Sequence, residues 1–288
     1  MNAKQETPRR TGLPEGWSRR PTVARIDNFL TGGCDNYFPD RHLAGLLMKS
    51  APWLPSMVKI NQRHRPHAVT TLARDLGIAQ FLDLGCGLPS GWDKKRQCHD
   101  PALTYEAARS VHEGARVVYV DNDLMVCAHA NFSMAEDLST AAVHGDIRKI
   151  DDLLDAPSIR DFDRSQPIAV LAHDLLPWVS DEEAEAAMAA VREWLPAGSA
   201  ISVTHATTDM APEQMKGLVD HYAEAGIVYR PRPLEQIQAF LGPWSALPPG
   251  VVPTAQWRAG HRNVHRMPSA AHSFAYAAVI TEALSAGP

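Results

Sequence analysis
Phe81-Leu82-Asp83-Leu84-Gly85-Cys86-Gly87-Leu88-Pro89-Ser90 decides how the rest of the chain is read. A short apolar run holding one acid passes directly into Gly85-x-Gly87. Glycines at such a junction let the backbone turn sharply and come close to a ligand. Asp83 stands just ahead of the loop, a poor place for a carboxylate unless it meets something polar. A loop built to seat a pyrophosphate carries a third glycine where the next helix starts. Here that position is Ser90, one residue after Pro89.

Further short apolar runs follow at 116–120, 141–144, 168–172 and 200–204, each running out at Asp or His. Runs of this kind suit strands buried on both faces. Helical stretches lie between them. The clearest is 181–195, where Ser180 is the N-cap, Glu183 completes a capping box, and Pro196 with Gly198 ends the helix. Strands alternating with helices predict an α/β fold with a doubly wound, mostly parallel sheet. Upstream, 42–49 and 68–76 have helical spacing, with breaks at Gly32-Gly33 and around Pro52 and Pro55. Residues 230–253 hold six prolines and are expected to form a long loop or lid. Residues 251–257 and 274–280 are expected to be the final strands. The division that follows is a mobile arm (1–21), an N-terminal helical cap (22–76) and a Rossmann-like catalytic domain (77–288).

The expected strand ends carry the chemistry. A carboxylate at the tip of the second strand, Asp121, can accept both hydroxyls of a ribose, with Asn122 beside it. Asp123 suits the cap of the next helix. The third strand leads to Gly145-Asp146-Ile147. There Asp146 can accept from an adenine amino group, and the Ile147 backbone N–H can donate to the ring. A nucleoside without a pyrophosphate matches S-adenosylmethionine (SAM) better than NAD. His173, Asp174 and His205 follow the fourth and fifth strands, on the side where open α/β sheets bind ligands. Each is a candidate general base, and His173 is also a candidate cofactor contact.

Composition narrows the classes. Twenty-eight basic against 33 acidic side chains leave a net charge of −5 over 288 residues. A protein built around a nucleic-acid backbone is usually clearly basic, so no nucleic-acid partner is expected. The polar N-terminus does not read as a signal peptide, and no apolar run is long enough to span a bilayer, so no membrane partner is expected either. Four cysteines without a CxxC pair read as free thiols of a cytoplasmic protein. The pairs His64/His67 and His261/His265 have no carboxylate cluster near them in sequence, so no metal site is expected. The charge is uneven: 1–26 and 230–266 are each +4, whereas 27–229 hold 17 basic and 29 acidic side chains. Two basic segments meeting at a cavity mouth would favour an acceptor with a carboxylate, held by Arg258 or Arg262.

Together these features resemble the class I SAM-dependent methyltransferases. The outer segments narrow the resemblance to a bacterial family long catalogued only as a domain of unknown function. They are Ala24-Arg25-Ile26-Asp27-Asn28 with Leu30, Gly32-Gly33 and Asp35-Asn36-Tyr37, then the Gly-Leu-Pro loop, Val117-Val118-Tyr119-Val120-Asp121-Asn122-Asp123, and Thr204-His205-Ala206-Thr207. The resemblance spans 22–283. It implies a seven-stranded sheet and an N-terminal helical cap in which Gly33, Asp35, Asn36 and Tyr37 close over the methionine part of SAM or shape the substrate entrance. Gly85, Gly87 and Leu88 would cradle the cofactor. The implied activity is methyl transfer to a small organic acceptor, natural-product or amino-acid-like, with Trp178, Tyr37 and 231–253 lining an apolar cavity. The chain departs from the family pattern in the long charged stretch 90–102 and just after it, where Leu103-Thr104-Tyr105-Glu106 stands for an Asn-Val-His-Glu-like stretch and only Glu106 survives. It departs again at Asn61-Gln62, where Asn-Arg is usual, and in the last strand. Two alternatives stay open: a SAM-using enzyme that breaks another bond (aminocarboxypropyl transfer, cyclisation or lysis), and a SAM-binding regulator or partner subunit. The oligomeric state is not legible.

Overall fold
The computed structural model describes residues 16–89, 91–93, 98–133, 139–258 and 273–282. At its centre is β1 (Gln80–Leu84), flanked by β2 (Arg116–Asp121) and then β3 (Thr140–His144) on one side. On the other side lie β4 (Ala169–His173) and β5 (Ala200–Ala206), both parallel to β1. Two-residue strands β6 (Ser245–Ala246) and β7 (Val252–Pro253) both pair with β8 (Ala275–Thr281), which runs antiparallel to β5. The order is β3-β2-β1-β4-β5-β8-β6, with β7 also on β8. The sheet is the mostly parallel Rossmann-like arrangement expected, with eight strands rather than seven.

Both faces of the sheet are covered, which is why its strands read as unbroken apolar runs. Phe81, Val117 and Leu171 pack with Ala68, Val69 and Leu72 of α3 (Leu54–Leu76). Leu82, Val118 and Val170 face the other way, onto Ala187, Met188 and Val191 of α8 (Asp181–Trp194). The capping box forms: Ser180 Oγ accepts from Glu183 N at 3.2 Å, and Glu183 Oε2 accepts from Ser180 N at 2.8 Å. No helix of the described residues is long and apolar enough to cross a membrane.

Two expectations are corrected. The proline-rich stretch 230–253 is not one long loop, because it contains α10 (Leu234–Leu241). Pro231 and Pro233 precede the helix rather than interrupt it, where a missing N–H costs nothing. Ile237, Phe240 and Leu241 then bury one face at helical spacing. The strand expected over 251–257 stops at Pro253, which has no N–H to continue the ladder. A 3-10 turn, Thr254–Gln256, replaces it and turns the ring of Trp257 inward.

The N-terminal helices α1 (Val23–Leu30), α2 (Phe38–Ser50) and the first half of α3 share a third core with α9 (Pro212–Glu224), built on Ile26, Leu43, Leu47, Met215 and Leu218. A buried ion pair anchors it. Arg25 Nε lies 2.9 Å from Asp40 Oδ2, and Asp40 also accepts from Thr22 N (3.0 Å) and Tyr37 N (2.7 Å). Arg25 further donates to the Trp17 and Arg20 carbonyls and lies over the rings of Trp17 and Tyr37.

Candidate functional site
A cavity of about 650 Å³ opens at the C-terminal ends of β1, β2, β3 and β4, beneath α1 and α3. The glycine loop forms its floor. Gly85 and Gly87 both have φ of +68°, in the left-handed region. A Cβ on Gly85 would lie 2.9 Å from Leu175 Cδ1, whereas one on Gly87 would meet nothing within 4 Å. Gly85 N and Cys86 N both donate to Val120 O, at 2.8 and 3.0 Å, which ties the loop to β2.

Asp121 closes the tip of β2. Its Oδ2 accepts from Gly87 N at 3.0 Å and its Oδ1 from Asp123 N at 2.9 Å. Burial pushes its pKa up to about 6, against those two hydrogen bonds. Asp123 Oδ1 accepts from Met125 N at 2.8 Å at the start of α5 (Leu124–Ser133), the capping position expected for it. Asn122, Leu88, Asp146 and Ile147 also line the cavity. Arg148 grips Asp146 through Nε, 2.9 and 3.0 Å from its two oxygens, and this ion pair holds Asp146 below the usual carboxylate range.

Asp83 lies behind the cavity wall rather than on it. It is fully buried, accepts from Thr104 Oγ1 at 2.5 Å, and stands 3.9 Å from Arg65 Nε. Burial raises its pKa, with Arg65 and Thr104 opposing. Thr104 and Arg65 do line the cavity, and Arg65 Nη1 donates to Cys86 O at 2.7 Å. Sequence reasoning missed Arg65. The available signal was the row Val58, Asn61, Gln62, Arg65, one face of α3 at helical spacing, all of it on the cavity wall.

The cap contributes differently from expectation. Asp27, Asn28 and Gly33 line the cavity, but Asp35, Asn36 and Tyr37 do not. Asn36 Nδ2 instead donates to Asn28 Oδ1 and to Gly33 O, both at 2.9 Å, and so holds a cavity residue from behind. Gly33 is required there, since a Cβ would fall 2.4 Å from Asn28 Nδ2. Tyr37 is turned towards the Arg25–Asp40 pair. Asp27 belongs to the segment that carries the resemblance, with no site role implied there; burial pushes its pKa up to about 7, with Arg65 opposing.

The three candidate bases separate. His173 lines the cavity, is 6% exposed, and bonds Ser202 Oγ through Nε2 at 2.8 Å; its Nδ1 has no partner among the described residues. Burial, then the neighbouring His64 and Arg65, push its pKa well below the usual histidine value, so the ring is neutral at pH 7. Asp174 also lines the cavity and has φ of +52°. His205 is not on the wall. β5 runs two residues past the expected end, so His205 sits inside the ladder opposite Tyr276. Arg232 Nη1 donates to its Nε2 at 3.0 Å, which leaves Nδ1 to donate to Ala206 O at 2.7 Å. Its ring lies near Phe240 of α10, whereas His173 faces His64 of α3. The side chain is committed to structure, and this corrects its candidacy as a base.

The basic rim also differs. Arg258 Nη1 pairs with Asp75 at 2.5 Å and is not on the cavity wall; Arg262 and the His261/His265 pair lie outside the described residues. Arg65, Arg63 and Lys59 of α3 supply positive charge at the cavity instead. His64 and His67 both pack nearly perpendicular to the Trp257 ring, at centroid distances of 5.1 and 5.5 Å.

Comparison with known proteins gives the same reading. Solved structures of similar chains include a DUF574 family protein from Streptomyces avermitilis, 28% identical over 92% of this chain and 99% of that one, with a TM-score of 0.82. Another, from Thermobifida fusca and proposed to be a methyltransferase, is 33% identical over 94% and 99%, also with a TM-score of 0.82. No curated protein matches. A family model described as S-adenosyl methyltransferase matches residues 16–283, and the chain therefore belongs to that family of class I SAM-dependent methyltransferases.

Proposed function
We propose that the protein methylates a small organic acceptor held in the same cavity as SAM. The observation that carries this reading is the extent of the cavity. Besides the glycine loop, its lining includes Asp174, Trp178 and Val179, Ile227 and Val228, and Asp27 and Asn28 of α1. Its volume of about 650 Å³ lies inside the range of about 300–1,000 Å³ usual for small-molecule sites.

In this reading residues 77–288 supply the sheet and the cofactor seat and residues 22–76 roof it; of the arm expected over 1–21, residues 1–15 lie outside the described residues, and Trp17–Arg19 form a 3-10 turn bonded to Arg25. The backbone of Gly85, Gly87 and Leu88 carries the cofactor, and Gly87 leaves room for it because no side chain fills the place of its Cβ. Asp121 would hold the ribose hydroxyls, because its two oxygens each keep a free lone pair after the Gly87 and Asp123 hydrogen bonds. Asn122 borders the ribose, and Asp146 with Ile147 meets the adenine. Arg65, hydrogen-bonded to Cys86 O and 3.9 Å from the buried Asp83, would hold the carboxylate of the methionine end. Bound SAM supplies an activated methyl group, so the chain's contribution is alignment and exclusion of water. His173 stays neutral and offers Nδ1 as a hydrogen-bonding group. The free thiols Cys34, Cys86 and Cys127 suit a cytoplasmic protein.

The product nucleoside is the test. Incubation with SAM and an acceptor library should release S-adenosylhomocysteine (SAH). Release of methylthioadenosine instead would refute methyl transfer in favour of cleavage at another carbon.

A further inference from the structure
Two carboxyl groups in the acceptor part of the cavity have no role in holding a nucleoside. Asp27 comes from α1 and Asp174 from the end of β4, and both line the cavity. Asp174 is locked in place. Its N donates to Thr204 O at 2.9 Å, and its carbonyl accepts from Trp178 Nε1 at 2.7 Å, which holds it in the left-handed region. Its Oδ1 is buried and has no hydrogen-bond partner among the described residues. Burial first, and then the Asp27 charge, hold Asp174 well above the usual carboxylate range, with a backbone hydrogen bond from Ala206 opposing. Their charges also reach the phenols of Tyr222 and Tyr229, which stack around Trp178 at centroid distances of 5.1 and 4.5 Å. On the same strand end, His173 is 6% exposed and its Nδ1 is unpartnered.

Two half-buried carboxyl groups on the wall of one cavity are stabilised by one proton and one cation. Arg65 of α3 lines the same cavity, and its charge lowers the pKa of Asp27 against the effect of burial. It is already hydrogen-bonded to Cys86 O, and no ion pair joins it to Asp27 or Asp174 among the described residues. A ligand carboxylate would be repelled there. An alcohol would bring a hydrogen bond without a charge. An ammonium brings charge and donors together, and the Trp178 ring beside it favours a cation.

We propose that Asp27 and Asp174, with His173 Nδ1 beside them, seat the ammonium group of an amine acceptor, which makes the protein an N-methyltransferase of small amines. This rests on the methyl-transfer reading above. The ammonium R–NH3⁺ gives one proton to an ionised carboxylate of the pair. The nitrogen lone pair then forms the N–C bond as the S–C bond breaks, yielding R–NH2⁺–CH3 and neutral SAH.

Benzylamine and benzyl alcohol differ little beyond the ammonium, and titration of each into the SAH complex at pH 8 tests the assignment. Benzylamine should bind at least about tenfold more tightly. Asp174→Asn should erase that preference while SAH affinity stays within about threefold of wild type. Asparagine tolerates the left-handed region, so this variant keeps the backbone. Asp27→Asn on α1 should act in the same direction. Equal binding of the two probes, or binding of neither, overturns the inference. It is also overturned if either variant loses SAH affinity but not affinity for SAH lacking its α-amino group, because the pair then holds the cofactor's own ammonium. Failure of the unmodified protein to bind SAH at all would refute the underlying reading instead.

Discussion

Arg25→Met removes the cation from a buried pair and strands Asp40 in the cap. The two side chains are 1% and 0% exposed and 2.9 Å apart. Removing one partner from such a pair costs about 3–5 kcal/mol, because the other charge stays buried. Asp40 keeps two backbone donors, Thr22 N and Tyr37 N, so the low end, about 3 kcal/mol, is expected. At about 2.1 cal/mol/K of unfolding entropy per residue, a chain of 288 residues carries about 0.6 kcal/mol/K. The melting temperature should therefore fall by about 5 °C if cap and sheet unfold together. Arg25→Met/Asp40→Leu removes both charges and should cost clearly less than the two single changes summed. Urea and thermal denaturation followed by circular dichroism give all four corners of the cycle. A single Arg25→Met cost under about 1 kcal/mol, or a double variant equal to the sum of the singles, would refute the ion pair as the anchor of the cap.

Asp121→Asn should weaken SAH binding by about 10–100-fold, the worth of a charge-assisted hydrogen bond. With the Asp121 pKa raised to about 6, SAH affinity of the unmodified protein should fall as pH drops through about 6 and the acceptor charge is lost. That limb should be missing from the variant in calorimetric titrations. Gly85→Ala places a side chain at φ of +68° and 2.9 Å from Leu175 Cδ1. It should lower stability by about 1–2 kcal/mol in urea melts and weaken SAH binding with it. Arg258→Ala breaks a partly exposed pair with Asp75 away from the cavity, so stability should change by less than about 1 kcal/mol. SAH affinity and turnover should be unaltered by it, whereas loss of turnover would return Arg258 to the acceptor site.

The sheet and the cofactor end were legible because they depend on local signals. An apolar run entering Gly85-x-Gly87, with Asp121 and Asp146 at and just after the ends of the next two strands, needs only strand order to become one cavity wall. The acceptor end depends on which way a side chain points. His205 stands one residue beyond the apolar run, and nothing local shows that pairing with β8 draws it into the ladder. Its Arg232 partner lies 27 residues away, inside a proline-rich stretch. Asn36 and Tyr37 stand out in sequence, yet they serve the joint between α1 and α2, while Asp27 of α1 lines the cavity. Helical acids give no periodic signal that separates a cavity wall from a solvated face.

The third core has a consequence for observing the protein at work. Ile26, Leu43, Leu47 and Leu218 belong to neither cluster on the faces of the sheet, so much of the holding of the roof is independent of the sheet's own packing. A ligand held between roof and sheet adds RT ln(1 + [L]/Kd) to the free energy of parting them. Amide exchange from α1 should then slow with each increment of SAH, while exchange from β1 stays governed by global unfolding. The cap thereby serves as a built-in gauge of occupancy, reporting the bound fraction through protection of its own backbone.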